Sequence, residues 1–198
     1  MTTRVPATEI TGVYGALVKR FAGHMFGRVP ESLGVMWHHV PVLKATMAYG
    51  QKLKKWHECD ESLKSFAHMA VASYLGCSWC LDFNYFEANN RGLDMEKARE
   101  VPRWRDSEVF TILERQVMDY AERMSQTPPS VDDRLSADLL DQLGPAGLLE
   151  LTSVIGFANL TTRSNIALGI ESDGFADACG LAPLAERTTA PGDVRSVS

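Results

Sequence analysis

Strand signals are missing from this sequence. No alternating apolar–polar run of the kind that makes a half-buried strand stands between turn residues, and no two-residue hairpin turn joins two such runs. A basic excess is missing too. Twenty-five acidic residues against 20 basic ones give a net charge of −5, which argues against nucleic acid or an anionic membrane as the main partner. The short cluster Lys52, Lys54 and Lys55 is too small for an interaction tail and reads as a solvated helix end. No stretch reaches the ~18 uncharged apolar residues of a membrane span. The last long apolar run, near Leu148 to Leu160, is interrupted by Glu150. The opening Met1-Thr2-Thr3-Arg4-Val5-Pro6 has no apolar signal-peptide core. The expectation is a cytoplasmic protein without a membrane or nucleic-acid partner.

Several chemical signatures are absent as well. There is no GxSxG, no phosphate-binding loop, no dinucleotide fingerprint and no Ser-His-Asp order. Zinc needs two ligands beyond a single Cys pair. His57 and Cys59 lie nearby in sequence, but a second CxxC or an HxxxH pair is lacking. His38 and His39 are adjacent, and neighbours on a helix point about 100° apart, so they do not chelate one ion together. No metal and no cofactor are expected.

What the chain has is helical patterning. Its 198 residues, 45% of them hydrophobic, suffice for one domain with a full core. Apolar spacing predicts helices over Thr8 to Phe26, Glu31 to His38, Pro41 to Trp56 and Glu61 to Leu75. Asp60 is the N-cap of the last of these and Gly76 its C-cap. A further helix runs from the cysteine pair to Asn90, and Asp94 opens a short one that Pro102 ends. Others run from Asp106 or Ser107 to Met124, from Asp132 to Leu143, and from Pro145 to Leu168. The fold expected is an all-α, compact domain of about six to eight helices over residues 1–180. The Pro-, Thr- and Ser-containing stretch 181–198 has little to bury and is expected to be disordered.

The chemistry gathers at Gly76-Cys77-Ser78-Trp79-Cys80-Leu81-Asp82-Phe83-Asn84. Three residues of separation at a helix start put both sulfurs on one face, within bridging reach. The helix N-terminus offers free N–H groups and partial positive charge, and both stabilise a thiolate. A reactive dithiol is the leading reading; a plain pair of buried small residues and a zinc site are the others. Trp79 lies between the cysteines as a wall of a substrate pocket or a cover for the thiols, with Phe83, Tyr85 and Phe86 beside it. Packing in the core or at a subunit interface is the bland reading for all four aromatics. Arg163 and Asn159, one turn apart, face a pocket or are neutralised by a carboxylate such as Glu150.

The Cys77-x-x-Cys80 pair opening a helix, followed by Ser107-Glu108-Val109-Phe110 to Met124, then Pro128, then Leu149-Glu150-Leu151-Thr152 through Asn159, Arg163, Asn165 and Gly169, resembles the alkylhydroperoxidase D-like, or carboxymuconolactone decarboxylase, family. The resemblance covers roughly Pro41 to Gly174. It implies an all-helical fold and a homo-oligomer, often a trimer or built from trimers. In the family's redox branch the motif is Cys-x-x-Cys-x-x-x-His, with a Glu about a dozen residues upstream, and this Glu and His relay protons. The second cysteine is usually assigned the attack on peroxide and the first resolves it.

Here the His position is Asn84 and the Glu position is Ser65, beside Lys64. Asn84, one turn after Cys80, is expected to hydrogen-bond a thiolate but not to relay a proton, a contribution typically worth ~10²–10⁴-fold. His68, Glu87 and Tyr85 are the candidate substitutes; a structural His68 and a solvated Glu87 are the bland readings. The sequence therefore points to a thiol-dependent antioxidant protein. In it Cys77 and Cys80 cycle against a small peroxide or a partner disulfide, with Asn84 and His68 assisting and Trp79 and Phe83 touching substrate. The alternatives are a non-catalytic, oligomeric ligand-binding protein on the same fold and a decarboxylase-like lyase. Cys59 and Cys179 are expected to be inert, with adventitious bridging open to Cys179.

Overall fold

The computed structural model describes residues 3–187. Among them there is no strand, and the all-α expectation stands. The helices are α1 (Gly12–Phe26), α2 (Glu31–Met36), α3 (Val40–Leu53), α4 (Glu61–Leu75), α5 (Ser78–Asn90), α6 (Met95–Glu100), α7 (Ile112–Ser125), α8 (Asp133–Leu168) and the single turn α9 (Phe175–Ala178).

The central element is α4. Leu63, Phe66, Ala67, Met69, Ala70, Val71 and Ala72 bury almost its whole circumference. A helix apolar on most sides must be covered on most sides, and α5, α7 and α8 cover it. Val117, Met118 and Ala121 of α7 and Leu151, Ile155 and Ala158 of α8 complete this core. Each fully buried Leu, Ile or Phe here contributes roughly 1.5–3 kcal/mol.

The order within α4 is set at both ends. Asp60 accepts the N–H groups of Ser62 and Leu63. Gly76 ends the helix at φ 79°, ψ 34°, a left-handed conformation that glycine adopts without the Cβ penalty.

The structure departs from the sequence reading in four places. α1 begins at Gly12 rather than Thr8, and of its apolar residues only Gly15 and Ala22 are buried; Ile10 enters the core from the extended lead-in. The Glu31 helix runs through a 3-10 turn over Trp37–His39 straight into α3. α7 begins at Ile112, not near Asp106. Thr111 and Glu114 form a reciprocal capping box, which satisfies the first N–H groups and fixes the start one turn late. Val109 and Phe110 pack on the core from the preceding turn instead.

The fourth departure is in the tail. Residues 181–187, expected to be disordered, lie against the body. Leu181 and Leu184 pack on the core, Tyr85 Oη donates to the Ala182 carbonyl, and Arg187 donates to the carbonyls of Ser73 and Tyr74. The rest of the expected tail, 188–198, lies outside the described residues.

By length and composition α8 alone among the described helices resembles a membrane span. It is broken at Gly144 (φ 68°, ψ 171°), just before Pro145, where the sequence placed a helix boundary. One face of its second part, through Leu151, Val154, Ile155, Ala158 and Thr162, is buried against α4 and α7. Its Glu150 pairs with Lys64 of α4 at 2.7 Å.

Candidate redox site at the start of α5

Only Gly76 and Cys77 separate α4 from α5. The left-handed Gly76 turns the chain, and Cys77 then serves as the N-cap of α5, its Sγ accepting the Cys80 backbone N–H at 3.2 Å. A sulfur in this position feels an N–H donor and the positive end of the helix together. Cys77 and Cys80 are joined as a disulfide, with Cα atoms 5.3 Å apart. Both are only 2% exposed and pack with Ala72 under Trp79 and Leu81. The pairing expected from the spacing is thus present. Among the described residues no group of three or more His, Cys, Asp and Glu is placed to hold a metal ion.

The residue that reaches Cys80 is not Asn84. The Asn84 side chain donates to the Cys80 backbone carbonyl at 2.7 Å, a back-bond along its own helix that commits one of its two amide N–H groups. Asn165, near the end of α8, donates its side-chain N–H to Cys80 Sγ at 3.4 Å. Sequence reasoning placed Asn165 in the trailing family pattern but gave it no role. A lone Asn on a helix carries no signal of which neighbour it meets; the α5–α8 packing decides it.

His68 sits half-buried on α4, edge-on to Phe157 of α8 at 6.4 Å. Among the described residues no hydrogen bond joins it to either cysteine. Burial, and secondarily the Lys54 charge, push its pKa from 6.5 down to about 4. The imidazole is therefore neutral at pH 7 and a poor acceptor for a thiol proton whose own pKa is ~8.5. The expected relay role for His68 gains nothing from this geometry.

The depressed pKa makes a separate prediction. Between pH 6.5 and about 4 the unfolded chain binds a proton that folded His68 refuses, so stability is lost as pH falls through that window. The loss assigned to His68 between pH 7 and 4.5 is about 2–3 kcal/mol. In urea denaturation at both pH values, His68→Leu is expected to lose that much less than the wild-type protein. Equal losses would remove His68 as the source.

The other candidates are engaged elsewhere. Glu87 pairs with Lys54 at 2.6 Å and lies 3.5 Å from Arg91, so it is not the solvated carboxylate of the bland reading, nor is it joined to a sulfur. The Tyr85 hydroxyl is bonded to the tail. Trp79 is half-buried, stacked on Phe83 at 4.9 Å and 9° between planes. Phe175 stands edge-on to both, and Phe26 of α1 closes the cluster against Phe83 and Phe175.

Arg163 donates to the Ser125 carbonyl and to Asn159, while Glu150 belongs to Lys64. His39 caps α3 through the Val42 N–H and His38 bonds the Pro6 carbonyl. Cys59 is free and buried; burial first, then Glu150, push its thiol pKa to about 11, which keeps it unreactive. Cys179 is free and exposed.

Residues 41–123 match the sequence pattern of the carboxymuconolactone decarboxylase family. The protein YnjA of Escherichia coli K12, described as uncharacterized, is 32% identical over 141 residues, covering 70% of this chain and 78% of that one. The chain belongs to this family. Among solved structures, the debrominase Bmp8, in a Cys-to-Ala variant bound to 2,3,4-tribromopyrrole, matches with TM-score 0.77 and 17% identity over 90% of this chain and 96% of that one. An uncharacterized peroxidase-related protein with an alkylhydroperoxidase AhpD core, from Ralstonia eutropha JMP134, matches with TM-score 0.74 and 16% identity over 88% and 95%. At these identities the solved structures establish the shared fold.

Proposed function

We propose that the protein is a thiol-dependent peroxide reductase that turns over at Cys77 and Cys80. The observation that carries this reading is the buried Cys77–Cys80 pair, in which each sulfur accepts an N–H, from the Cys80 backbone and from Asn165 respectively. Such donors favour thiolate over thiol. The Cys80 thiolate attacks the outer oxygen of a hydroperoxide ROOH. This gives a sulfenic acid on Cys80 and RO⁻, which takes a proton to become ROH. The Cys77 thiol displaces that oxygen as water and forms the disulfide. A dithiol donor then returns two electrons and two protons, becoming a disulfide itself.

With neither His nor Glu at the family's relay positions, the two N–H donors stand in for a base by lowering thiol pKa. The rate is then expected to rise with pH through the thiol ionisation. Proton return to RO⁻ falls to solvent or to the donor. The test is peroxide-dependent oxidation of a dithiol by the reduced protein, with peroxide loss and dithiol loss in a 1:1 ratio. No turnover above the free dithiol with hydrogen peroxide, cumene hydroperoxide and a fatty-acid hydroperoxide would end the reading.

A second reading rests on the stacked Trp79–Phe83 pair beside the disulfide and on the bromopyrrole-bound structural relative. A flat halogenated heterocycle would meet an aromatic wall here. The same dithiol would reduce carbon–bromine to carbon–hydrogen, releasing bromide and a proton as it closes to the disulfide. Bromide release from tribromopyrrole without peroxide turnover would select it. We also propose a homo-oligomer: Val13, Leu17 and Phe21 form an apolar stripe along α1, 84%, 61% and 57% exposed in the single chain, a face suited to a second copy.

A further inference from the structure

The segment after α8 is fastened across the start of α5. Ser78 Oγ accepts the Ser172 N–H at 3.1 Å. Asp82, itself buried, accepts the Ser172 hydroxyl at 2.6 Å and the N–H groups of Phe175 and Ala176 at 2.8 and 2.9 Å. The Trp79 indole N–H donates to Asp173 at 3.0 Å. Ser78 and Trp79 are the two residues between the cysteines, and both are bonded to this strap. Arg28, reaching in from the end of α1, lies 4.0 Å from Asp173 and over the Phe175 ring. Trp79 is at once packed on the cluster of Ala72, Cys77 and Cys80, stacked on Phe83 and pinned at its polar end. The polar end of the indole is therefore held by one hydrogen bond to Asp173, and its ring by Phe83 and Phe175.

Sulfur exchange requires an attacking thiolate to reach a disulfide sulfur along the sulfur–sulfur axis, and access sets the rate as much as thiol pKa does. A small thiol needs a narrow opening. A protein dithiol carries a surface around its cysteine that must seat on the target, and two cysteine residues each 2% exposed, with Trp79 and Leu81 packed against their cluster, give it nowhere to seat. We propose that Trp79, latched by Asp173, is the specificity-determining element that restricts re-reduction of the Cys77–Cys80 disulfide to small-molecule thiols and excludes protein dithiols. This rests on the disulfide being the working centre of the proposed reductase, and names the class of its electron donor. The step balances as two thiols oxidised to one disulfide, with Cys77 and Cys80 each gaining a hydrogen.

The test compares reduction of the oxidised protein by dithiothreitol and by a thioredoxin, followed by mass spectrometry of alkylated Cys77 and Cys80. Two variants cut the latch from opposite sides. Asp173→Ala removes the acceptor; Trp79→Phe keeps a ring for the stack and removes the donor. The ratio of the thioredoxin rate to the dithiothreitol rate is expected to rise at least tenfold in both. A smaller rise in either folded variant overturns the proposal; far-UV circular dichroism identifies a variant that does not fold, and the other then decides. Peroxide turnover is scored separately on the same samples. A tenfold shift without any turnover leaves the latch standing and removes the peroxide chemistry, whereas turnover with an unchanged ratio does the reverse.

Discussion

Cys80→Ser is expected to lower steady-state peroxide turnover by at least ~10³-fold, and Cys77→Ser to do the same, because the catalytic cycle closes only through the Cys77–Cys80 disulfide and residues acting as a unit fail together. The two variants differ in a single turnover. With Cys77 replaced, Cys80 keeps its Asn165 donor, consumes one equivalent of peroxide and stops as a sulfenic acid, because no thiol remains to resolve it. With Cys80 replaced, Cys77 remains an N-cap side chain and consumes none. A dimedone adduct on Cys80 in the first variant and its absence on Cys77 in the second is the expected pattern. The reverse pattern would exchange the roles of attacker and resolver. Turnover within tenfold of wild type in either variant would show that the dithiol is not the catalyst. Asn165→Ala is expected to leave the disulfide able to form and to lower the Cys80 reaction rate by about tenfold, since a hydrogen bond to a charged acceptor is worth ~1.5–3 kcal/mol and a long bond to sulfur sits at the lower end.

How far this site could be read from the chain alone divides along a physical line. Local features were legible. The three-residue spacing of Cys77 and Cys80, Gly76 as a left-handed stop and Asp60 as a cap are each decided within a turn or two of helix, and the structure shows each of them. What depends on packing between distant helices was not. Asn84 was assigned to sulfur by its position on α5, yet its side chain bonds the Cys80 backbone carbonyl. Asn165, 85 residues from Cys80, reaches it only because α5 and α8 lie together. Asp82 is a similar case. A single Asp in a helix reads as solvent-facing, and nothing in the sequence shows that it takes up the first N–H groups of α9.

The fold shows the same division. Hydrophobic spacing located α4, whose apolar residues follow the helical period, while boundary residues located α5, between the cysteine turn and Asn90, and the second part of α8, between Pro145 and Gly169. The spacing misplaced the start of α7 because Val109 and Phe110 extend the apolar pattern beyond the helix into a turn that also feeds the core. The better signal was chemical: Thr111 followed three residues later by Glu114. Residues 181–187 were misread for a different reason. Composition predicts whether a segment can bury its own surface, but Leu181 and Leu184 use a surface supplied by the rest of the chain.

Lys64→Met is the stability change expected to cost most. Lys64 and Glu150 meet at 2.7 Å with side chains 6% and 4% exposed. Around them the bonding is complete: Lys64 also donates to the Trp56 carbonyl, and Glu150 also accepts the Glu58 N–H. The network ties the entry of α4, the loop before it and the middle of α8, which are the elements that hold the cysteine turn at the other end of α4. Removing the cation leaves Glu150 buried without its countercharge, a loss of about 3–5 kcal/mol. A chain of this size then loses roughly 2–4 °C in Tm for each kcal/mol. The pair itself is a different quantity. Its Coulomb gain is offset by the desolvation of both groups, so Lys64→Met with Glu150→Gln, which keeps an acceptor for the Glu58 N–H, is expected to recover more than half of the loss. Urea denaturation of the wild-type protein, both single variants and the double variant closes the cycle. Additive losses, or a Lys64→Met protein within 1 kcal/mol of wild type, would show that water reaches Glu150 and that the network does not brace α4.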